Sequence, residues 1–527
     1  MTYLRGYGTK KTDQQVKILG STQVQNNAGG FAWAITDWQR LQRFLILGSE
    51  GGTYYTEEKA LTTQNAEAVL RCIKADGLRV VKEVEEISWA GRAPKNDPAL
   101  FVLAMAASLG DPATRKEALR VLPRVARIGT HLLHFTDYVQ GFRGWGRGLR
   151  SAIANWYNQK DIDDLALQAV KYQSRDRWAQ SDLLRLAHPK PVDASHDSLY
   201  KWIVDGELKE TTAGLEIVQG YMALQQAKTA QDAARLVEQY KLPMEAVPTQ
   251  FKTSVQVWRA ALPHLGLTAL LRNLGNLSKY DLLKQGATEV QTISARLLDE
   301  KALHAARIHP IAVLAALVTY SSGHSARGSG KWAVVPDIVD ALDRAFYLAF
   351  RNVTSTNKNI VLALDVSGSM ASGEVAGIPG LTPRMAAAAM AMVTYTVEPK
   401  VSIIAFQAEG KMQTTRWSGG YSTMQPGIVP LDISRHKSLQ DVVAATNSLP
   451  FGPTDCAQPM LWASRNRVKA EAFIILTDSE TWAGDIHPTQ ALNQYRDEFK
   501  IPAKLIVVGM TSAGFTIADP DDAGMLD

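Results

Sequence analysis

Cysteine is almost absent: Cys72 and Cys456 are the only two in 527 residues. Two thiols so far apart in sequence found neither a disulfide framework nor a multi-cysteine zinc site, as expected of a protein from a reducing compartment. Long apolar runs are missing too. Nowhere do about 18 consecutive apolar residues occur, and residues 1–11 have no apolar stretch of the signal-peptide kind. Secretion and membrane contact are therefore not expected, and the cytoplasm is the expected location. The chain also lacks the Gly-x-x-x-x-Gly-Lys-Ser/Thr phosphate loop and the His-Glu-x-x-His zinc motif. What is present is ample core material, with 46% hydrophobic and 21% charged residues, which excludes bulk disorder. The length calls for at least two domains.

The formal net charge of +5 hides an asymmetry. Residues 357–527 carry a balance of −4, which leaves +9 on residues 1–356. A basic partner surface therefore belongs to the first part. Up to about residue 350 the apolar residues recur at helical spacing. Residues 98–109 read as a buried helix. Gly110 suits a left-handed stop, Asp111 an N-cap and Pro112 the first position of the next helix, which runs over 115–127. Similar units at 161–186, 231–239, 253–274 and 308–320 predict antiparallel helix pairs, a HEAT-like solenoid without strict sequence repeat. Beyond Asn352 the pattern changes to apolar runs at 360–364, 401–406, 472–476 and 503–508, with helical stretches at 384–396, 438–448 and 457–464. Alternating strands and helices predict a doubly wound parallel α/β sheet with ligands at the carboxyl ends of its strands. The expected domains are 1–355 and 356–527.

Asp365-Val-Ser367-Gly-Ser369 ends the first of these strands. An aspartate and two alternate serines can turn hard oxygen atoms towards one point, which suits Mg²⁺ or, as the alternative, Mn²⁺. By itself the string also fits a turn or a helix cap. Leu476-Thr-Asp478 brings a second carboxylate to the same sheet edge, and Thr454-Asp455 opens the preceding helix. In order, spacing and strand context these loops resemble the metal-ion-dependent adhesion site of von Willebrand factor A domains. That resemblance implies coordination through the hydroxyls of Ser367, Ser369 and Thr454, with Asp365 and Asp478 bound directly or through water. It leaves one position open to a carboxylate or phosphate oxygen. A phosphotransferase using Asp365 as nucleophile would need an acid two positions on, where this chain has Ser367. Asp485 and His487 follow the last loop and read as structural. No catalytic residues are expected.

Three segments of the helical part mix cations with aromatics. Residues 141–150 hold Arg143, Trp145, Arg147 and Arg150 among four glycines. Residues 171–190 hold Lys171, Tyr172, Arg175, Arg177, Trp178, Arg185, His188 and Lys190, with Lys171 and Arg175 at helical i, i+4 spacing. Residues 321–332 hold His324, Arg327, Lys331 and Trp332. Guanidinium forks bind phosphates and aromatic faces stack on unpaired bases, so nucleic acid is the leading partner. Residues 141–150 read equally well as a helix-connecting loop with solvated charges, and residues 321–332 also fit a flexible connector.

Longer strings carry a more specific resemblance. Arg43-Phe-Leu-Ile-Leu-Gly-Ser-Glu-Gly-Gly-Thr-Tyr-Tyr55, Leu267-Thr-Ala-Leu-Leu-Arg-Asn-Leu-Gly275, Ala306-Arg-Ile-His-Pro310 and the stretch 502–522 resemble the Ro autoantigen family over nearly the whole chain. The family plan is a ring of HEAT-like repeats, the TROVE domain, closed by a von Willebrand factor A domain. The resemblance implies binding of small noncoding Y RNA on the outer surface of the ring. It also implies acceptance of single-stranded 3′ ends of misfolded RNAs by the central hole. A bacterial member would cooperate with exoribonucleases in RNA maturation, decay and stress survival, as a monomeric protein within a ribonucleoprotein. Residues 171–190 resemble the family's Y RNA-contacting helices, which nominates Lys171, Arg175 and His188. Arg143, Arg147, Arg327 and Lys331 rest on residue type alone. Residues 371–383 match the family poorly, and no metal ligand is assigned there. The expected function is therefore RNA binding, with a metal-dependent module that captures a partner's carboxylate as the alternative.

Overall fold

The computed structural model describes residues 11–50, 53, 56–208, 213–325, 329–350, 355–412, 423–429, 431, 437–449 and 452–527. Two compact units divide the chain. One holds Ala66–Ala349, and the other joins Met1–Asn65 to Phe350–Asp527.

The first unit is helical, and its helices pack on their neighbours in sequence. The helix Asp97–Leu109 lies against both Pro112–Val125 and Gly129–Phe142, and Ala230–Tyr240 lies against Glu216–Gln225 and Val255–Ala261. This is the expected solenoid of antiparallel pairs. The local signals at its first corner act as expected but for one. Asp111 accepts the amide of Thr114, and Pro112 opens the helix. Gly110, however, is extended rather than left-handed, with φ −69°. Its missing side chain serves packing instead, because a Cβ would lie 2.6 Å from Thr114 and 2.7 Å from the carbonyl of Ala106. The unit's later helices return to its first. Arg307 donates to the carbonyl of Trp89 at 2.9 Å, and the His309 ring meets the carbonyl of Arg92 at 3.1 Å. The guanidinium groups of Arg307 and Arg124 lie 4.2 and 4.9 Å from the centre of the Trp89 ring.

The second unit is built on a six-stranded sheet. Across it the strands run Met525–Leu526, Lys504–Gly509, Ala472–Thr477, Ile360–Asp365, Val401–Phe406 and Ile428–Val429. All neighbours are parallel except the last pair, so the sheet is mixed where a purely parallel one was expected. The antiparallel edge strand is only two residues long, too short to show in the apolar pattern. Alternation sorts the central strands: Val361, Ala363, Phe473, Ile475, Leu505 and Val507 share a core with Met460, Leu492 and Tyr495. Leu362 and Leu364 point the other way and are also buried, where the helix Pro383–Val397 packs. Burial on both faces explains why these strands read as continuous apolar runs.

The expected division at residue 355 needs correction at the other end of the chain. Residues up to Asn65 belong to the sheet-bearing unit. The strand Phe31–Ala34 pairs with Phe515–Thr516, Trp33 is buried, and Arg43 donates to the carbonyls of Ala513 and Phe515. Pairing partners almost 500 residues away leave no local periodicity that could reveal the arrangement.

Candidate metal centre and nucleic-acid interface

Register places the metal loops. Leu476 stands opposite Leu364, so Thr477 and Asp365 end adjacent parallel strands. The Thr477 hydroxyl donates to Asp365 Oδ2 at 2.6 Å, while Asp365 Oδ1 accepts the amide of Ser367 at 2.8 Å. The hydroxyls of Ser367 and Ser369 are 3.1 Å apart. The Thr454 carbonyl accepts the amides of Trp482 and Ala483, both at 3.1 Å, which ties its loop to the one that follows Asp478. The structure thus brings all five sequence-nominated residues to one sheet edge, and all five are buried.

Burial raises both carboxyls of this edge. Burial, followed by the nearby Asp365 charge and opposed by a hydrogen bond from Ser369, pushes the Asp478 carboxyl up to about 7. Burial likewise raises Asp365, while hydrogen bonds from Ser367 and Thr477 and the charge of Arg384 oppose the shift. Two carboxylates that burial makes reluctant to ionise, set beside three hydroxyls, form a donor set that fits a hard divalent cation. No group of three or more His, Cys, Asp or Glu side chains able to hold a metal exists among the described residues. A site here therefore depends on the hydroxyls. Cys456 is a buried thiol pushed well up by burial, unsuited to nucleophilic work. His487 is structural, bonded to the carbonyl of Val16 and the side chain of Gln23.

Two supporting residues escaped the sequence reading. Arg384, 2% exposed, donates to the carbonyls of Val366 at 2.5 Å and Ser367 at 3.0 Å, holding the Asp365–Ser369 turn from behind. Gln14, fully buried, donates to Asp455 Oδ1 at 2.7 Å and to the carbonyl of Ile486 at 2.8 Å, and accepts from the Thr481 hydroxyl at 2.5 Å. It staples the loop after Thr454 to the loop after Asp478. Gly484 closes on the same point, since a Cβ there would meet Asp455 and Gln14 at 2.4 Å. A single buried arginine or glutamine carries no local sign of such a role.

In the helical unit the nominated cations fall at the ends of helices and short strands. The helix Ile162–Lys171 ends at Lys171, and Ser174–Arg175 and Trp178–Ala179 form a small hairpin. The expected helical i, i+4 alignment of Lys171 with Arg175 is therefore wrong. Asp176 and Arg177 take φ of 50° and 69° and build a tight turn instead. Lys171 lies 3.7 Å from Glu245 and 5.3 Å from the Tyr172 ring. Arg175 is exposed, near Asp176. His188 is exposed in the left-handed cap of the helix Gln180–Ala187. Arg143 and Arg147 are exposed on the short connection into the helix Arg147–Asn158.

Tertiary packing joins the first two basic segments. The Trp145 and Trp178 rings lie 5.7 Å apart, which brings the connection carrying Arg143 and Arg147 beside the hairpin carrying Arg175 and Arg177. The third segment belongs to another helix pair. Lys331 is exposed, but Trp332 is an anchor rather than a stacking platform: its Nε1 donates to the Tyr320 carbonyl at 2.9 Å and its ring covers Gly275. Arg327 lies outside the described residues.

With this geometry in hand, known proteins can be compared. The family model of the TROVE domain matches residues 24–319, and that of the Ro60 vWA domain matches residues 359–527. The RNA-binding protein RO60 of Deinococcus radiodurans is 44% identical over 516 residues, 97% of this chain and 94% of that protein. The RNA-binding protein RO60 of Caenorhabditis elegans is 32% identical over 597 aligned residues, covering 98% and 89%. The crystal structure of the Deinococcus radiodurans RO (RSR) protein superposes with a TM-score of 0.71 at 44% identity, covering 93% of this chain and 96% of that one. Matches of this extent across both units mean that the chain belongs to the Ro60 family, a TROVE domain followed by a Ro60-type von Willebrand factor A domain.

Proposed function

We propose that the chain binds RNA through the face of its helical unit where the segments 143–147 and 171–188 meet. The observation that carries this reading is the Trp145–Trp178 contact, which gathers the exposed Arg143, Arg147, Arg175 and Arg177 beside two indoles. Exposed guanidinium groups reach phosphates at little cost, since the contacts of Arg175 with Asp176 and of Arg177 with Asp137 are solvent-screened, and counterion release supplies the affinity. The relatives named as RNA-binding proteins support the same partner. Small structured noncoding RNA of the Y type is the ligand proposed for this face. A single-stranded 3′ end of a misfolded RNA is proposed for the opening of the helical ring. A single strand can thread a narrow opening that a duplex cannot. Delivery of such ends to an exoribonuclease would place the protein in RNA maturation, decay and stress survival without catalysis of its own.

The metal loops serve binding in this reading. Ser367, Ser369 and Thr454 would hold Mg²⁺ or Mn²⁺ with Asp365 and Asp478 close by. The ion would supply one open coordination position for a carboxylate or phosphate oxygen. The chain's own part is to keep the loops in register through Gln14 and Arg384. The hydroxyl-rich donor set also favours a second reading, capture of a partner protein's carboxylate.

A gel-shift titration separates the two. Stem-loop RNAs with and without a single-stranded 3′ tail are titrated at several salt concentrations, with and without EDTA. Binding that weakens linearly in log salt, survives EDTA and favours the tailed RNA is expected. Equal binding of blunt and tailed RNA removes the end-recognition reading. Binding abolished by EDTA alone moves the function to the metal loops.

A further inference from the structure

An open cleft of about 630 Å³ lies among the helix Gly129–Phe142, the hairpin and the helix Gln180–Ala187. Asp137, Gln140, Arg177, Trp178, Asp182 and Arg185 line it. The lining mixes an indole, two guanidinium groups, two carboxylates and an amide, which is neither a uniform phosphate groove nor an apolar core. Its aromatic wall is fixed: Trp178 Nε1 donates to Asp137 Oδ1 at 3.2 Å, and Trp145 packs on Trp178. One cation is fixed too, since Arg185 Nη2 donates to the Val204 carbonyl at 2.8 Å. The other, Arg177, is 93% exposed at the tip of the turn and lies 4.0 Å from the Asp137 carboxylate, a solvent-screened pair that a phosphate can replace.

We propose that this cleft is a pocket for one unpaired nucleotide and that it selects guanine. The inference rests on the reading that RNA lies on this face. Duplex bases have no free face, whereas a base in a bulge or loop can turn out and stack on an indole. The volume is in the range of pockets that take small ligands, about 300–1,000 Å³. Arg177 and Arg185 stand on the rim, where the nucleotide's phosphates would run. The carboxylates set the base preference. An ionised carboxylate only accepts hydrogen bonds, so the base edge that meets Asp137 or Asp182 must donate. Guanine presents N1–H and N2–H side by side, a match for the two oxygens of one carboxylate; Asp137 Oδ1 already accepts from Trp178 and Asp182 Oδ2 from the Ala179 amide, and each of these oxygens keeps a second lone pair for the base. Uracil presents a single N–H between two carbonyl oxygens, which the carboxylate repels.

The test uses the full chain and a fluorescein-labelled stem-loop RNA with a three-nucleotide bulge, either UGU or UUU, read by fluorescence anisotropy. The UGU bulge is expected to bind about tenfold more tightly, the discrimination typical of a bidentate contact. Trp178→Phe keeps a stacking face and retains the preference. Asp137→Asn still accepts from the indole but lacks the paired acceptors, so the two RNAs converge on one affinity. Arg175→Ala weakens both RNAs in parallel and leaves their ratio intact. Equal affinity of the unmodified protein for the two bulges overturns the pocket, as does a preference that survives both Asp137→Asn and Trp178→Leu. If Arg175→Ala changes neither affinity, the surface reading itself fails and the pocket falls with it. Urea midpoints of the variants exclude misfolding as the cause.

Discussion

The candidate metal edge of the sheet-bearing unit and the proposed RNA face of the helical unit are built in opposite ways. At the metal edge every nominated side chain is buried, and loops distant in sequence are fixed by printed-circuit regularity of the sheet: Asp365 and Thr477 meet because their strands are in register. At the cationic face Arg143, Arg147 and Arg175 are exposed and sit at the ends of helices and of a short strand. Burial makes the first cluster sensitive to single changes, since each uncompensated charge is costly. Exposure makes the second tolerant and additive, since each cation contributes a screened share.

Several changes would break or sharpen this contrast. The largest effect is expected at Arg384. Arg384→Met removes the charge facing Asp365 and strands two carbonyls, and should cost about 3 kcal/mol in urea unfolding while sparing RNA affinity in a gel shift. Gln14→Ala comes next. It unfastens Asp455 from Thr481 and should cost about 2 kcal/mol, and it should shrink the upward shift in melting temperature given by Mn²⁺. An unchanged Mn²⁺ response would mean that the staple does not position the loops. Arg175→Ala should weaken stem-loop RNA several-fold, by about 1 kcal/mol, and lower the salt slope by about one, with the Mn²⁺ response intact. Ser367→Ala should give the reverse pattern, loss of the Mn²⁺ response with RNA affinity retained.

The last effect concerns pH. Burial, then the charges of Arg127 and His134, push His131 down to about 3. The unfolded chain takes up this proton as pH falls below about 6.5, and the folded chain does not until far lower. The stability is therefore complete above 6.5 and declines as pH falls, by about 1 kcal/mol between pH 7.5 and 5.5. Urea midpoints at the two pH values, compared with those of His131→Gln, isolate this contribution from that of the other histidines. Equal pH sensitivity in both proteins would show that His131 does not carry it.

Legibility in the sequence follows the range of each interaction. The strand-end string Asp365–Ser369 is visible because one strand and one turn supply all three oxygens, and Thr454 and Asp478 follow from the same edge. Asp111 and Pro112 are visible because capping is a contact over three residues. The hairpin at 174–179 was hidden behind cations at helical spacing, because spacing alone does not report that the helix stops at Lys171 or that the left-handed pair Asp176 and Arg177 turns the chain. Gln14 was hidden entirely, its partners lying more than 400 residues on.

By itself, the sequence determined the helical solenoid, the α/β unit, the metal-loop string and the segregation of basic charge, all of which rest on periodicity, capping and composition within short windows. Only the tertiary structure decided that residues up to Asn65 belong with the sheet, that Gln14 and Arg384 brace the metal loops, and that Trp145 and Trp178 gather two basic segments around one cleft. Those contacts gain their free energy from burial against residues remote in the chain, and no local pattern records which remote surface a side chain will meet.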